Sequence, residues 1–216
     1  MSSVLEQLDL VSVHFAKSGG SSLARALANH YGQEIFWDST HDPCNASHDA
    51  SEPPDLPANT RAVHGHFRGD RYASYNPRIL FTFLREPVDK LISVYFFWKS
   101  LPPSDSPDHL HFLRENPSIL EYAHQTAGVA CTAYFGGMDM RDFDMIGFHD
   151  RREQDLAILS GAAGFPIPPE LHLNRTPSSP ERSKVLRDPA LLADLRRALQ
   201  EDVDFYDTVR AQRLGE

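Results

Sequence analysis

Apolar positions along the chain come in short unbroken runs, separated by stretches with helical periodicity. Leu10–Ala16 (LVSVHFA) is an apolar, β-branched run that predicts a buried strand. It stops at Lys17-Ser18-Gly19-Gly20-Ser21-Ser22, after which Leu23, Ala26, Leu27 and His30/Tyr31 fall on one helical face. Glu34–Trp37, Arg61–Phe67 (RAVHGHF), Arg78–Leu84 (RILFTFL) and Phe143–Phe148 are further extended candidates. The third of these leads through Arg85-Glu86-Pro87 into an amphipathic helix, Val88–Lys99, with Pro87 in the first turn, where its missing N–H costs nothing. Pro117–Ala127 and Arg151–Leu159 read as helices, the latter with Asp150 as N-cap, and Pro189–Arg210 as one long terminal helix. The acidic, proline-rich stretch Asp38–Thr60, the Leu101–Asp108 connection, the breaker Gly164–Pro169 and the polar loop Asn174–Lys184 separate them. Strands alternating with helices predict an α/β fold: three layers, with a mostly parallel central sheet flanked by helices.

Composition narrows the function. The 216 residues fit one domain, 1–216, and 41% hydrophobic with 24% charged residues describes an ordinary folded protein. Lys plus Arg is 21 and Asp plus Glu 30, a net charge of −9, which argues against general nucleic-acid binding. An anionic ligand therefore needs a local basic pocket. No apolar run reaches the ~20 residues that span a bilayer, and MSSVLEQLDL lacks the basic start of a signal peptide. Cys44 and Cys131 give neither a disulfide framework nor zinc spacing, so the expectation is reduced thiols in a cytoplasmic protein.

The first turn carries candidate chemistry. Two glycines allow close backbone approach, the following helix start presents unpaired N–H groups, and Lys17 with three serine hydroxyls shares the same six residues. These features predict a cradle for phosphate or sulfate; a turn needing glycine for geometry alone is the competing reading. A Walker A loop is ruled out by order, since Lys17 precedes the glycines. In the second segment Arg85 lies where a buried strand emerges and Ser93 follows about two helical turns later. Guanidinium and hydroxyl suit a phosphate, though Arg85 can equally pair with Glu86 or Asp89, and Ser93 can be a packing residue.

Together the two segments resemble the cofactor motifs of sulfotransferases that use 3′-phosphoadenosine-5′-phosphosulfate (PAPS), in particular the carbohydrate branch of the heparan and chondroitin 2-O type. The resemblance implies a P-loop-like nucleotide-binding fold, with Lys17, Ser18, Gly19, Gly20, Ser21 and Ser22 around the 5′-phosphosulfate. It implies Arg85 and Ser93 at the 3′-phosphate, and a loop residue, Arg175, closing over the nucleotide. The likeness continues through His64-Gly65-His66, Phe143–Leu159 and Leu173–Thr176. Serines replace the family's frequent threonines in the turn, and Glu86 replaces the usual Asp. The short chain suggests a soluble, bacterial-type relative.

His64 and His66, at i and i+2 of a strand, point to one face and can enter one pocket. The resemblance implies that His66 is the general base that deprotonates an acceptor hydroxyl, with His64 assisting and Lys17 stabilising the departing phosphate. A purely structural pair and a metal site stay open from the residues alone, the second because His109 and His111 repeat the spacing. The reaction as implied needs no metal. His14 reads as an ordinary strand residue, and Arg68 and Arg71 as acceptor-steering or rim residues. The expected partner is a hydroxyl-bearing small molecule or glycan. The rivals are a nucleotide kinase or hydrolase with an atypical phosphate loop, and a nucleotide-binding module without catalysis. Acceptor identity and oligomeric state are not written in the sequence.

Overall fold

The computed structural model describes residues 7–38, 53–103, 106–168 and 178–215, without the side chains of Ser21 and Ser22. In chain order the elements are β1 (Leu10–Val13), α1 (Gly20–Tyr31), β2 (Ile35–Asp38), β3 (Ala62–Gly65) and β4 (Leu80–Leu84). Next come α2 (Pro87–Ser100), α3 (Pro107–Glu115), α4 (Ile119–Thr126), α5 (Val129–Phe135), β5 (Met145–Phe148) and α6 (Arg152–Ala163). The last are α7 (Pro180–Val185), α8 (Pro189–Ala198) and α9 (Gln200–Leu214). Contacts divide the chain into two compact units, Met1–Leu84 with Ala130–Leu173, and Arg85–Val129 with Asn174–Glu216.

The first unit is α/β, as the alternating pattern predicts. Its five strands run in the order β2-β3-β1-β4-β5, and every neighbouring pair is parallel. Strands β1, β3 and β4 are buried along their whole length, which is why they read as continuous apolar runs rather than alternating ones. Leu10, Phe81 and Phe83 of the sheet pack with Leu23, Ala26 and Leu27 of α1 and with Leu156 and Leu159 of α6. From β1 the chain passes through α1 to the edge strand β2; from β4 it proceeds to the opposite edge strand, β5. The order therefore reverses between β1 and β4, and open α/β sheets bind ligands beyond the carboxyl ends of strands at such a switch point.

Three boundaries differ from the sequence reading here. β1 stops at Val13, so residues 14–16 leave the ladder and Lys17 takes a left-handed backbone, φ 62°. β3 stops at Gly65, placing His66 just past the strand rather than on it. Asp150 does not cap α6: a 3-10 turn over His149–Arg151 intervenes, and Arg151 is the N-cap. The carboxylate that serves this junction is Asp155, which accepts the Phe148 N–H at 2.7 Å from inside the helix.

The second unit is helical. Leu91, Ile92, Tyr95 and Phe96 of α2, Phe112 of α3, Tyr122 of α4 and Leu195 of α8 share one core with Leu199 and with Val203 of α9. The expected single terminal helix is two, broken at Leu199 (φ −101°, ψ 24°), and the break turns Leu195, Leu199 and Val203 into the same core. The Leu101–Asp108 connection already contains the start of α3, where Ser106 accepts from the His109 N–H and Pro107 is the first helical residue. Likewise α7 begins inside the expected polar loop, capped by Ser179. Among the described residues no helix is long and apolar enough to cross a membrane.

Candidate functional site

The carboxyl ends of three adjacent strands of the first unit are tied together by backbone hydrogen bonds. The His14 N–H, just past β1, donates to the Gly65 carbonyl at 2.7 Å, and the His66 N–H donates to the Asp38 carbonyl at 3.0 Å. Gly65 has to be glycine here: a Cβ would lie 1.8 Å from the Asp38 carbonyl oxygen. Asp38 itself ends β2 in a buried ion pair. Its Oδ2 accepts from Arg71 Nε at 3.0 Å and from the Tyr72 hydroxyl at 2.8 Å, with Asp38 1% and Arg71 2% exposed. Arg71 is thus a structural strut and not a rim residue. Arg68 is held by both Asp70 oxygens and by the Gly136 carbonyl.

On this platform three imidazoles stack. The His14 ring lies 5.1 Å from His64 and 4.3 Å from His66, both at 26°. His64 is buried, with Nδ1 2.7 Å from the buried Ser12 hydroxyl, and the exposed Trp37 meets its ring edge-on at 5.5 Å. His66 is partly exposed, and its Nδ1 lies 2.8 Å from the Tyr134 hydroxyl. Burial, reinforced by the neighbouring His66, lowers the His64 pKa from 6.5 to about 3, so this imidazole is neutral at any physiological pH. Burial also lowers His14, with His66, His64 and Lys17 acting in the same direction. The reading of His14 as an ordinary residue therefore gives way: it is the ring that joins the pair. A stack of rings across two strand ends leaves no trace in the spacing, since His14 and His64 are far apart in sequence.

The turn at Lys17–Gly20 sits directly on His14. A Cβ on Gly20 would fall 2.0 Å from His14 Nε2, and one on Gly19 2.4 Å from Arg152 Nη1. Gly19 also has φ 103°, a conformation that a side chain would strain. It is the N-cap of α1, and as glycine it offers no capping oxygen to the first helical N–H groups. Ser18 is buried, and both its hydroxyl and its N–H donate to the Phe15 carbonyl, closing the turn. The side chains of Ser21 and Ser22 lie outside the described residues, as do Arg175 and the Leu173–Thr176 segment.

Arg152, the first residue of α6, reaches this place although neither cofactor motif contains it and the Phe143–Leu159 likeness implies no role for it. Its guanidinium lies 5.9 Å from the Phe83 ring centroid, and its Nη1 and Nη2 are buried without a hydrogen-bond partner. Desolvation lowers its pKa.

In the second unit Arg85 stands before α2, with Nε donating to Asp89 Oδ2 at 2.7 Å. Ser93 is buried further along the same helix. His109 and His111, which share the His-x-His spacing, lie on α3 and do not converge. His109 Nε2 meets the Trp98 carbonyl at 3.0 Å and His111 Nδ1 meets Arg114 Nη2 at 2.8 Å. Among the described residues no group of three or more His, Cys, Asp or Glu side chains is placed to hold a metal ion.

No protein-family profile and no curated protein matches the chain. Among solved structures it is similar to a sulfotransferase from Alicyclobacillus acidocaldarius, at 14% identity and a TM-score of 0.42, over 91% of this chain and 96% of that one. It is also similar to the mouse sulfotransferase SULT7A1 complexed with PAP, at 13% identity and a TM-score of 0.40. That match covers 84% of this chain and 64% of that one. At such values the chemistry has to be read from this chain's own residues.

Proposed function

We propose that this protein is a sulfotransferase that moves the sulfuryl group of PAPS to an acceptor hydroxyl, with His66 as general base. One observation carries the reading: a glycine turn with a lysine and an uncapped helix start lies one imidazole away from a partly exposed histidine. Gly20 rests on His14, and His14 stacks on His66. The turn suits a sulfate or phosphate group, because its N–H groups and Lys17 supply fixed positive charge and its glycines admit close approach.

PAPS, when bound, supplies a sulfuryl group on a good leaving group. The chain's residues do the rest. Lys17 and the N–H groups at the start of α1 neutralise charge as it moves onto the 5′-phosphate. His66 Nδ1 is engaged with the Tyr134 hydroxyl, so Nε2 is the nitrogen assigned to the base, in the tautomer that carries its hydrogen on Nδ1. It takes the acceptor's proton as the acceptor oxygen bonds to sulfur and the sulfur–phosphate oxygen bond breaks. His64, neutral and hydrogen-bonded to Ser12, is assigned the assisting role, as a fixed ring against which His14 and, through it, His66 are stacked. Ser18 supports the turn from within. Ser21, Ser22, Arg85, Ser93 and Arg175 are assigned by motif, the arginine and serine of α2 to the 3′-phosphate. The acceptor is a carbohydrate or another small alcohol, and residues 1–216 belong to one sulfotransferase domain.

The test is thermal unfolding with 3′,5′-adenosine bisphosphate (PAP) against ATP plus magnesium, followed by transfer of labelled sulfate from PAPS to a panel of alcohols and sugars. A ligand at 100 times its Kd adds about 2.7 kcal/mol. Stabilisation by PAP with transfer supports the proposal. Preference for ATP and magnesium would favour the kinase reading, and PAP binding without any transfer the binding module.

A further inference from the structure

Arg152 belongs to neither cofactor motif and the resemblance implies no role for it, yet its position is unusual. A helix N-terminus carries about half a positive charge, and cations are normally excluded from it. Here the guanidinium is packed against Gly19, the N-cap of α1, in the same turn as Lys17. Two of its nitrogens are buried with no hydrogen-bond partner, while the aromatic face of Phe83 is its described neighbour. A buried, unpaired guanidinium destabilises a fold unless something negative compensates it. No described carboxylate does so: Asp155 is engaged with the Phe148 N–H and lies beside Arg151. A guanidinium without a hydrogen-bond partner and a helix dipole meeting at one turn make physical sense when an anion completes the set.

We propose that Arg152 is a direct ligand of the tetrahedral oxyanion held at the Lys17–Gly20 turn. The residue as a whole is partly buried, so its long side chain can swing the fork from beneath Gly19 to the ligand by rotation about its own bonds. Guanidinium matches two oxygens of a phosphate or sulfate at once, whereas the lysine acts as a point charge. The inference rests on the turn being an anion site; its identification with the phosphosulfate group of PAPS rests further on the function proposed above.

The experiment uses the full chain, with Arg152→Gln and Arg152→Lys beside the wild type, and reads unfolding midpoints and binding. The probes are inorganic sulfate, inorganic phosphate, PAP and adenosine 3′-phosphate. Without anion, Arg152→Gln is expected to unfold at a higher temperature than wild type, because it removes an uncompensated buried charge. With anion the order reverses: sulfate and phosphate stabilise wild type but not Arg152→Gln. PAP binds the variant about tenfold more weakly or worse, and Arg152→Lys recovers part of the loss. Adenosine 3′-phosphate, which lacks the group in question, binds both alike. Equal response of wild type and Arg152→Gln to sulfate and PAP overturns the proposal, as does unfolding of both variants, which would mark the guanidinium as structural. A wild type stabilised by sulfate but indifferent to PAP, with the variant unresponsive, upholds Arg152 as an anion ligand and refutes the PAPS reading instead.

Discussion

Gly20 carries no side chain because His14 occupies the space where one would go. Gly20→Ala is therefore expected to push the His14 ring off its stack with His66, since the new Cβ would meet ring atoms at 2.0 to 2.5 Å. Overpacking of this kind costs about 1–3 kcal/mol. The expected outcome is a lower midpoint in chemical denaturation together with weakened PAP binding; a variant as stable and as tight-binding as wild type would contradict the packing described. His66→Ala separates chemistry from binding. Its predicted effect is a loss of about 10²–10⁴-fold in the rate of sulfuryl transfer. Stabilisation by PAP should survive, because the imidazole is not among the groups that hold the nucleotide. Near-normal turnover in this variant would remove His66 from the role of base.

At the scale of elements, the end of β2 depends on the ion pair between Asp38 and Arg71, which joins the strand to the segment after β3. Arg71→Met removes the guanidinium that donates to the buried carboxylate and leaves the Tyr72 hydroxyl in place. Breaking such a pair by removing one side costs about 3–5 kcal/mol. Urea unfolding should show that loss; a change below about 1 kcal/mol would mean that the carboxylate finds water. The helix ends show a gentler version of the same logic. Ser118 and Glu121 form a complete capping box at α4, and Ser118→Ala is expected to cost about 0.5–2 kcal/mol by the same measurement.

The whole molecule reports the buried histidines through its response to acid. His64 has a folded pKa of about 3 against an ordinary 6.5, and His14 is displaced in the same direction. The unfolded chain therefore takes up protons below pH 6.5 that the folded chain refuses. The contribution of these rings to stability is complete above pH 6.5 and is lost as the pH falls below it, for His64 toward 3. The limiting slope is roughly 1.4 kcal/mol per pH unit for each histidine. Denaturant titrations at pH 7.5, 6 and 5 should show stability declining across this window, with a shallower decline in His64→Asn. A flat profile would mean that both rings are hydrated in the folded state.

The sequence by itself determined the layering and the candidate turn. Short apolar runs such as LFTFL, bounded by turn residues, read as strands covered on both faces, and a run of this kind leading through Lys-Ser-Gly-Gly into a helical period reads as a strand, a tight turn and a helix. Those signals are local, carried by neighbours in the chain. Helix starts in polar stretches were less legible, because Ser106-Pro107 and Ser179-Pro180 look alike as loop and as N-cap until something packs against the turn that follows. Tertiary structure alone decided the rest. It set His14 between His64 and His66, engaged the Arg71 expected at the rim with Asp38, split the last helix at Leu199, and brought Arg152 under Gly19. Each of these is a contact between residues distant in sequence, or a bend imposed by a shared core. No periodicity encodes them, because they exist only once parallel strands have aligned their carboxyl ends.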